Sequence, residues 1–188
     1  MTDLDAANKA LTLLGVEPVG QLSDNTKAAR TTAQLMDQVK RIVLAEFPWT
    51  FALKEVPLVV SAATPPAGYS HAWTYPGDAV NINRVFDPWR RVVPFQTVEG
   101  GIIATNLLAV NVEYVRLVTD LNVWRSDVAE CFITRLASDA AVQLTGSGQL
   151  MSGLYEKYLM LLNGAKDASV VEEYRPFGRA DHYVRVRS

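Results

Sequence analysis

Side chains suited to catalysis are sparse along these 188 residues. The two histidines stand far apart: His71 sits among aromatics in "YSHAWTYP", and His182 lies close to the end. Neither has a second histidine or a cysteine at the spacing a metal site needs. Cys131 falls in a helical pattern, where a packed, passive thiol is expected, not a nucleophile. Turn and cap roles account for Asp120 and Asp127, which flank "LNVW", and Glu172 with Glu173 reads as a solvated pair. "GSGQLMSG" holds three glycines but lacks the Lys-Ser/Thr ending of a phosphate loop, so an interhelical turn is expected there. "EGG" before "IIATN" reads as a tight strand connection. There is no nucleophile elbow, paired glycine fingerprint or metal motif. An enzyme is therefore not expected, and neither is a cofactor or a metal.

Two groups could bind instead. Trp73, Tyr75 and Trp89 could form a stacking surface for nucleic acid, with Arg84, Arg90 and Arg91 as basic neighbours. Sheet core and strand edges is the favoured reading of the same residues. At the C-terminal end, Arg175, Arg179, Arg185 and Arg187 interleave with Phe177 and Tyr183. From Arg175 to Ser188 the only acid is Asp181, so this segment carries +3 and the rest carries −5. It suits contact with an acidic protein surface better than phosphate, because so few charges bind nucleic acid weakly. A frayed, solvated terminus stands level with that reading on sequence alone.

The elements that would position these residues follow from periodicity. Leu4, Ala7, Leu11 and Leu14 predict a first helix, with Thr2 or Asp3 as cap and Gly15 as stop. A longer helix is expected to start near Ser23 or Asp24. Its stripe is Ala28, Ala29, Thr32, Met36, Val39, Val43 and Phe47, with Lys40 and Arg41 off it. Run from Asn25 to Glu46 it would be roughly 33 Å long, and Pro48 closes it. From Trp49 to about Thr119 short β-branched and aromatic runs alternate with Pro or Gly, which predicts an antiparallel sheet or small barrel. Helical period returns at "RSDVAECFITRLASDAAVQLTG", with Ser126 or Asp127 as cap and Glu130 completing a capping box. A last helix carries Leu150, Leu154, Tyr158, Leu161 and Leu162, and its period fades after Lys166.

Composition bounds the rest. A 49% hydrophobic fraction and 20% charged residues are ordinary for a globular chain, and a net charge of −2 does not point to nucleic-acid binding. One cysteine cannot form an internal disulfide, so synthesis in a reducing cytoplasm is expected. The N-terminus does not read as a signal peptide, and no run approaches the ~20 apolar residues of a membrane span.

Taken in order, "ALTLLGVEPVGQLSDNTKAAR", a long helix ending "FPWTFAL", "YSHAWTYPGDAVNINRVFD", "EGGIIATN", "VNVEYVRLVTD" and "AECFITRLASDAAVQLTGSGQLMSGLYEKY" resemble one family. That family is tail tubular protein A of short-tailed bacteriophages and the related head-to-tail adaptors. The resemblance runs roughly from Leu4 to Ala168, and its strength lies in the ordered set. It implies a dodecameric ring beneath the portal protein, joined to the tail nozzle protein, with a central channel through which DNA passes. It also implies a virion protein of the head–tail junction without enzymatic activity.

The expected fold is α+β. A four-helix bundle (1–48 and 120–168) is interrupted by an antiparallel β-rich subdomain (49–119) and followed by an extended C-terminal tail (169–188). The expected partner-binding residues, toward portal or a neighbouring subunit, are Arg175, Phe177, Arg179, Tyr183, Arg185 and Arg187. Other connector roles remain open: a stopper, completion or nozzle component, or a nucleic-acid-binding module. In "EFPWTFALK", Trp49 and Phe51 are expected on one face of a strand that starts at once, plugging the junction between bundle and insertion.

Overall fold

Thr2 starts helix α1, Asp3–Leu13, through a reciprocal pair of hydrogen bonds. Its hydroxyl accepts from the Asp5 N–H at 3.1 Å, and the Asp5 carboxylate accepts from the Thr2 N–H at 2.8 Å. Gly15 ends the helix at φ +66°. There the Gly15 N–H donates to Thr12 O and the Val16 N–H to Leu11 O, each at 3.0 Å. That geometry favours a residue without Cβ.

Helix α2, Lys27–Ala45, is capped by Thr26, whose hydroxyl accepts from the Ala29 N–H at 3.1 Å. Ser23 and Asp24 do not cap it, because Asp24 serves the preceding turn by accepting from the Gln21 N–H at 2.9 Å. The helix stops before Pro48. Ala29, Thr32, Met36, Val39 and Val43 are buried, as their stripe requires. Lys40, off that stripe, is buried as well. Its ammonium donates to both Asp3 carboxylate oxygens at 2.8 Å and to Thr119 O at 2.9 Å.

Pro48 does not lead straight into a strand. The Ala52 and Leu53 N–H groups both donate to Trp49 O, at 2.8 and 3.0 Å, so residues 49–52 form a turn. Trp49 and Phe51 therefore do not alternate on one strand. Both still reach the helical core: Trp49 is fully buried, with its indole N–H donating to Val43 O at 2.8 Å. The Phe51 ring lies 5.7 Å from that of Trp124.

Six strands follow: β1 Leu53–Pro57, β2 His71–Thr74, β3 Ala79–Phe86, β4 Gln96–Val98, β5 Ile102–Thr105 and β6 Asn111–Arg116. They form two antiparallel three-stranded sheets, ordered β1-β6-β3 and β2-β5-β4. Alternation along β6 divides its side chains between two cores. Val112 and Tyr114 join Leu58, Trp73, Val85 and Ile103 between the sheets. Val115 joins the helical core with Trp49, Ala52 and Trp124.

A 3-10 turn, Leu121–Val123, leads into α3, Ser126–Thr145. The expected capping box at Ser126 or Asp127 is not formed. Arg125 occupies the cap position, and its side chain accepts no hydrogen bond from a backbone N–H of the helix. Asp127 instead binds the Arg125 guanidinium and accepts from the Val128 N–H at 2.9 Å. Helix α3 is buried on most sides and contacts α1, α2 and α4. Its Ala129, Ala137, Ala140, Ala141 and Ser138 let neighbouring backbones approach closely, which a helix buried all round needs. Gly146, at φ +72°, turns the chain into α4, Gly148–Glu173. Ala165 and Ser169 extend the buried face of α4, so residues 169–173 are helical and not extended.

The fold is thus mixed α+β, with four helices and two small antiparallel sheets in a computed structural model that describes residues 1–173. Among the described residues no helix is long and apolar enough to cross a membrane.

Candidate functional site

The residues expected to contact a partner, Arg175, Phe177, Arg179, Tyr183, Arg185 and Arg187, lie outside the described residues, as does His182. The helix that precedes them in sequence is tied to the rest of the fold. Lys166 pairs with Glu46 at 3.2 Å, and Arg125 donates to Ser169 at 3.1 Å. The end of α4 therefore lies where the helices meet the β-rich insertion.

The aromatic group does not assemble as a stacking platform. Trp73 is only 3% exposed, and its indole N–H donates to the Thr105 hydroxyl at 2.8 Å between the sheets. Tyr75 is partly buried against the same core. Trp89 alone of the three is open, at 74%. The basic neighbours face acids: Arg84 binds Glu113 at 2.8 Å, Arg90 binds Glu55 at 3.1 Å and Arg91 binds Asp87 at 2.7 Å. Arg91 also stacks on Trp89, 5.3 Å from the ring centre. Trp73 thus takes the sheet-core place favoured for it from sequence, because alternation sets it on the inward face of β2.

Asp87 organises the "DPWRR" turn. Its carboxylate accepts from the N–H groups of Trp89 and Arg91 at 2.9 and 2.8 Å, as well as from the Arg91 guanidinium. Burial disfavours its charge. The Arg91 backbone N–H, the Arg91 guanidinium and the Trp89 N–H together outweigh that and hold the carboxyl below the usual 3.8. This turn forces Arg90 to φ +64°, where its N–H still reaches Asp87 O at 3.0 Å.

The remaining candidates take structural places. Cys131 is fully buried, and burial pushes its thiol up to about 11, which leaves it protonated and inert near neutrality. Asp120 caps the 3-10 turn by accepting from the Asn122 N–H at 2.9 Å. His71 pairs across to Thr105 in the sheet. Among the described residues no three His, Cys, Asp or Glu side chains cluster as a metal site would require.

One surface went unnoticed in the sequence. In the first sheet Leu53 pairs with Val115 beside the helices, whereas Pro57 and Phe86 both pair with Asn111 at the far end. Loops leaving that far end expose Val59, Val60, Trp89, Val92, Leu107 and Leu108, the last at 82%. Tyr69, Asp87, Val92, Val93, Asn106 and Leu107 line an open groove of about 590 Å³ there. A signal was present: between Val56 and Val112 the only charged residues are Asp78, Arg84, Asp87, Arg90, Arg91 and Glu99. A second exposed apolar strip, Met151, Tyr155 and Leu159, runs along α4 beside its buried face. Solvent-facing apolar groups at two separated places suit protein contact more than a small-molecule pocket. No protein-family model and no curated protein matches the chain.

Proposed function

We propose that this chain is a structural head-to-tail adaptor of a phage virion. In this reading its four helices act as a bundle, and copies assemble into a ring, dodecameric by the resemblance. The ring joins the portal protein to the tail nozzle, and DNA passes through its channel without sequence-specific contact. The ordered set of segments from Leu4 to Ala168 carries this reading. The architecture is in keeping with it, since a helical part is interrupted by a β-rich insertion whose far tip is apolar and exposed. A ring interface is heterologous, so each copy needs two different complementary surfaces. The tip and the α4 strip offer two apolar candidates at separate places.

A mildly acidic wall would let DNA slide without gripping it, and the charge of −5 outside the final segment fits that task. The arginine-rich segment, Arg175 to Arg187, then serves as the attachment to portal or to a neighbouring subunit. Electron microscopy of the tailed particle tests the assignment. The expected result is density for this chain directly beneath the portal. Density further down the tail would replace it with a nozzle component. Deleting residues 175–188 should leave the fold intact and weaken portal attachment; normal attachment would remove that role from the segment. A nucleic-acid module is disfavoured by the burial of Trp73, and an absence of DNA binding in low salt would eliminate it.

A further inference from the structure

Antiparallel sheets expose unpaired backbone groups at their edges, and folds normally block them with charge, proline or covering chain. Three of the four outer strands here are treated in that way. Strand β1 carries Lys54 and Glu55 and ends in Pro57, which has no N–H to offer. The outer side of β2 is covered by residues 59–61: the Ser61 N–H donates to Ala72 O at 2.9 Å and the Thr74 N–H to Val59 O at 2.8 Å. The far half of β3 is covered by residues 91–93, with the Val93 N–H donating to Val85 O at 2.8 Å.

Strand β4 differs. Its three residues hold no charge and no proline, Gln96 and Thr97 are exposed, and its shortness is its one protection. Its pairing direction can be worked out. The Tyr75 N–H donates to Gly101 O at 2.8 Å, so Gly101 faces β2. Alternation then turns Ile103 and Thr105 toward β2, and Ile102 and Ala104 toward β4. Since Ile102 pairs with Val98 and Ala104 with Gln96, those residues of β4 make the ladder bonds. Thr97 points its N–H and C=O away from the sheet, and no other backbone group among the described residues meets them.

We propose that the β4 edge accepts an added antiparallel strand, supplied by residues 182–187 of a second copy of this chain. The segment "HYVRVR" alternates strictly, with Val184 and Val186 on one side and Tyr183, Arg185 and Arg187 on the other, as an added strand must. It follows α4 in sequence, outside the described residues. Charge favours the match: from Val92 to Val112 the acceptor region carries Glu99 as its one charged residue, whereas the donor carries arginines. A donor segment and an acceptor edge at different places on one chain are what a heterologous ring contact requires, so the proposal rests on the adaptor reading for its second copy.

The test uses the full chain with Val184→Pro and Val186→Pro, whose own segment can no longer form a strand. A labelled synthetic peptide of residues 180–188 is titrated against it by fluorescence anisotropy. Saturable binding is expected, weakened tenfold or more by adding Thr97→Pro. That substitution removes an N–H facing outward, so the sheet's own ladder stays intact, which circular dichroism checks. Absence of binding at millimolar peptide, or equal binding to the Thr97→Pro protein, overturns the proposal. In a second arm, full chain bearing Thr97→Cys is mixed with full chain bearing Val184→Cys under mild oxidation. Disulfide between the two chains supports exchange between copies; no disulfide in the mixture, with bridging only inside a separate chain that bears both substitutions, overturns the second-copy assignment. Neither arm involves portal or virion, so failure here leaves the adaptor reading to its own test by microscopy.

Discussion

Trp49 shows how one side chain can close a junction. It is fully buried among helical residues, and its indole N–H is satisfied by Val43 O. Trp49→Ala should cost roughly 3–5 kcal/mol in urea unfolding, as large aromatic truncations do; a change below about 1 kcal/mol would contradict that packing. Lys40 is a second tie, joining α2 to the start of α1 and to the chain leaving β6. Removing a partner from a buried charge costs more than removing the charge itself. Asp3→Ala should therefore destabilise by about 2–3 kcal/mol, discounted because Asp3 is partly exposed, and Lys40→Met should cost less. The opposite order in chemical denaturation would reject the argument. Asp87 adds a pH dependence of defined sign. Its folded pKa is depressed, so its contribution is complete above about 3.8 and fades as pH falls through the lower folded value. The stability difference between wild type and Asp87→Asn should hold from pH 7 to 5 and shrink below pH 4. A difference that stays constant to pH 3 would show that the carboxylate is not held this way.

Elements were legible wherever periodicity was strong, and their ends were legible wherever a cap had one candidate. Thr2 and Gly15 bracket α1 as their types demand. Before α2 several capping residues stand in a row, "SDNT", and the three-dimensional turn around Asp24 decides among them. The end of α4 was hidden for a different reason: Ala165 and Ser169 bury small side chains, which leave no apolar period to read. The burial of Lys40 could not be read because its partners are 37 and 79 residues away, and a helical wheel contains neither. The open edge of β4 could not be read at all, since it depends on which strands neighbour which. Gly146 tests the local logic. No atom lies within 4 Å of a Cβ added there, so Gly146→Ala meets only its left-handed backbone. The expected cost is about 1 kcal/mol, measured by thermal unfolding. A neutral change would show that the α3–α4 turn can relax to another conformation.

At the scale of the whole molecule, β6 decides whether helices and sheets behave as one body. Its Val112 and Tyr114 fill the core between the sheets, while Val115 fills the core of the helices. Loss of either core removes support from the same strand, and a small sheet pair without such support is marginal in water. The two parts should therefore unfold together. Tryptophans report on each separately: Trp49 and Trp124 lie in the helical core, Trp73 lies between the sheets, and Trp89 is exposed. In one variant Trp73 is kept and the other three are replaced by Phe; in another Trp124 alone is kept. Urea transitions followed by fluorescence in each should coincide with that variant's own far-ultraviolet circular dichroism, as a two-state transition demands. Separate midpoints within the Trp73 variant would mean that the insertion opens independently, and that the tie through β6 is too weak to couple the two cores. For the proposed ring such decoupling would matter as well, because an apolar tip carried on an independently opening insertion could not hold a fixed position against a partner.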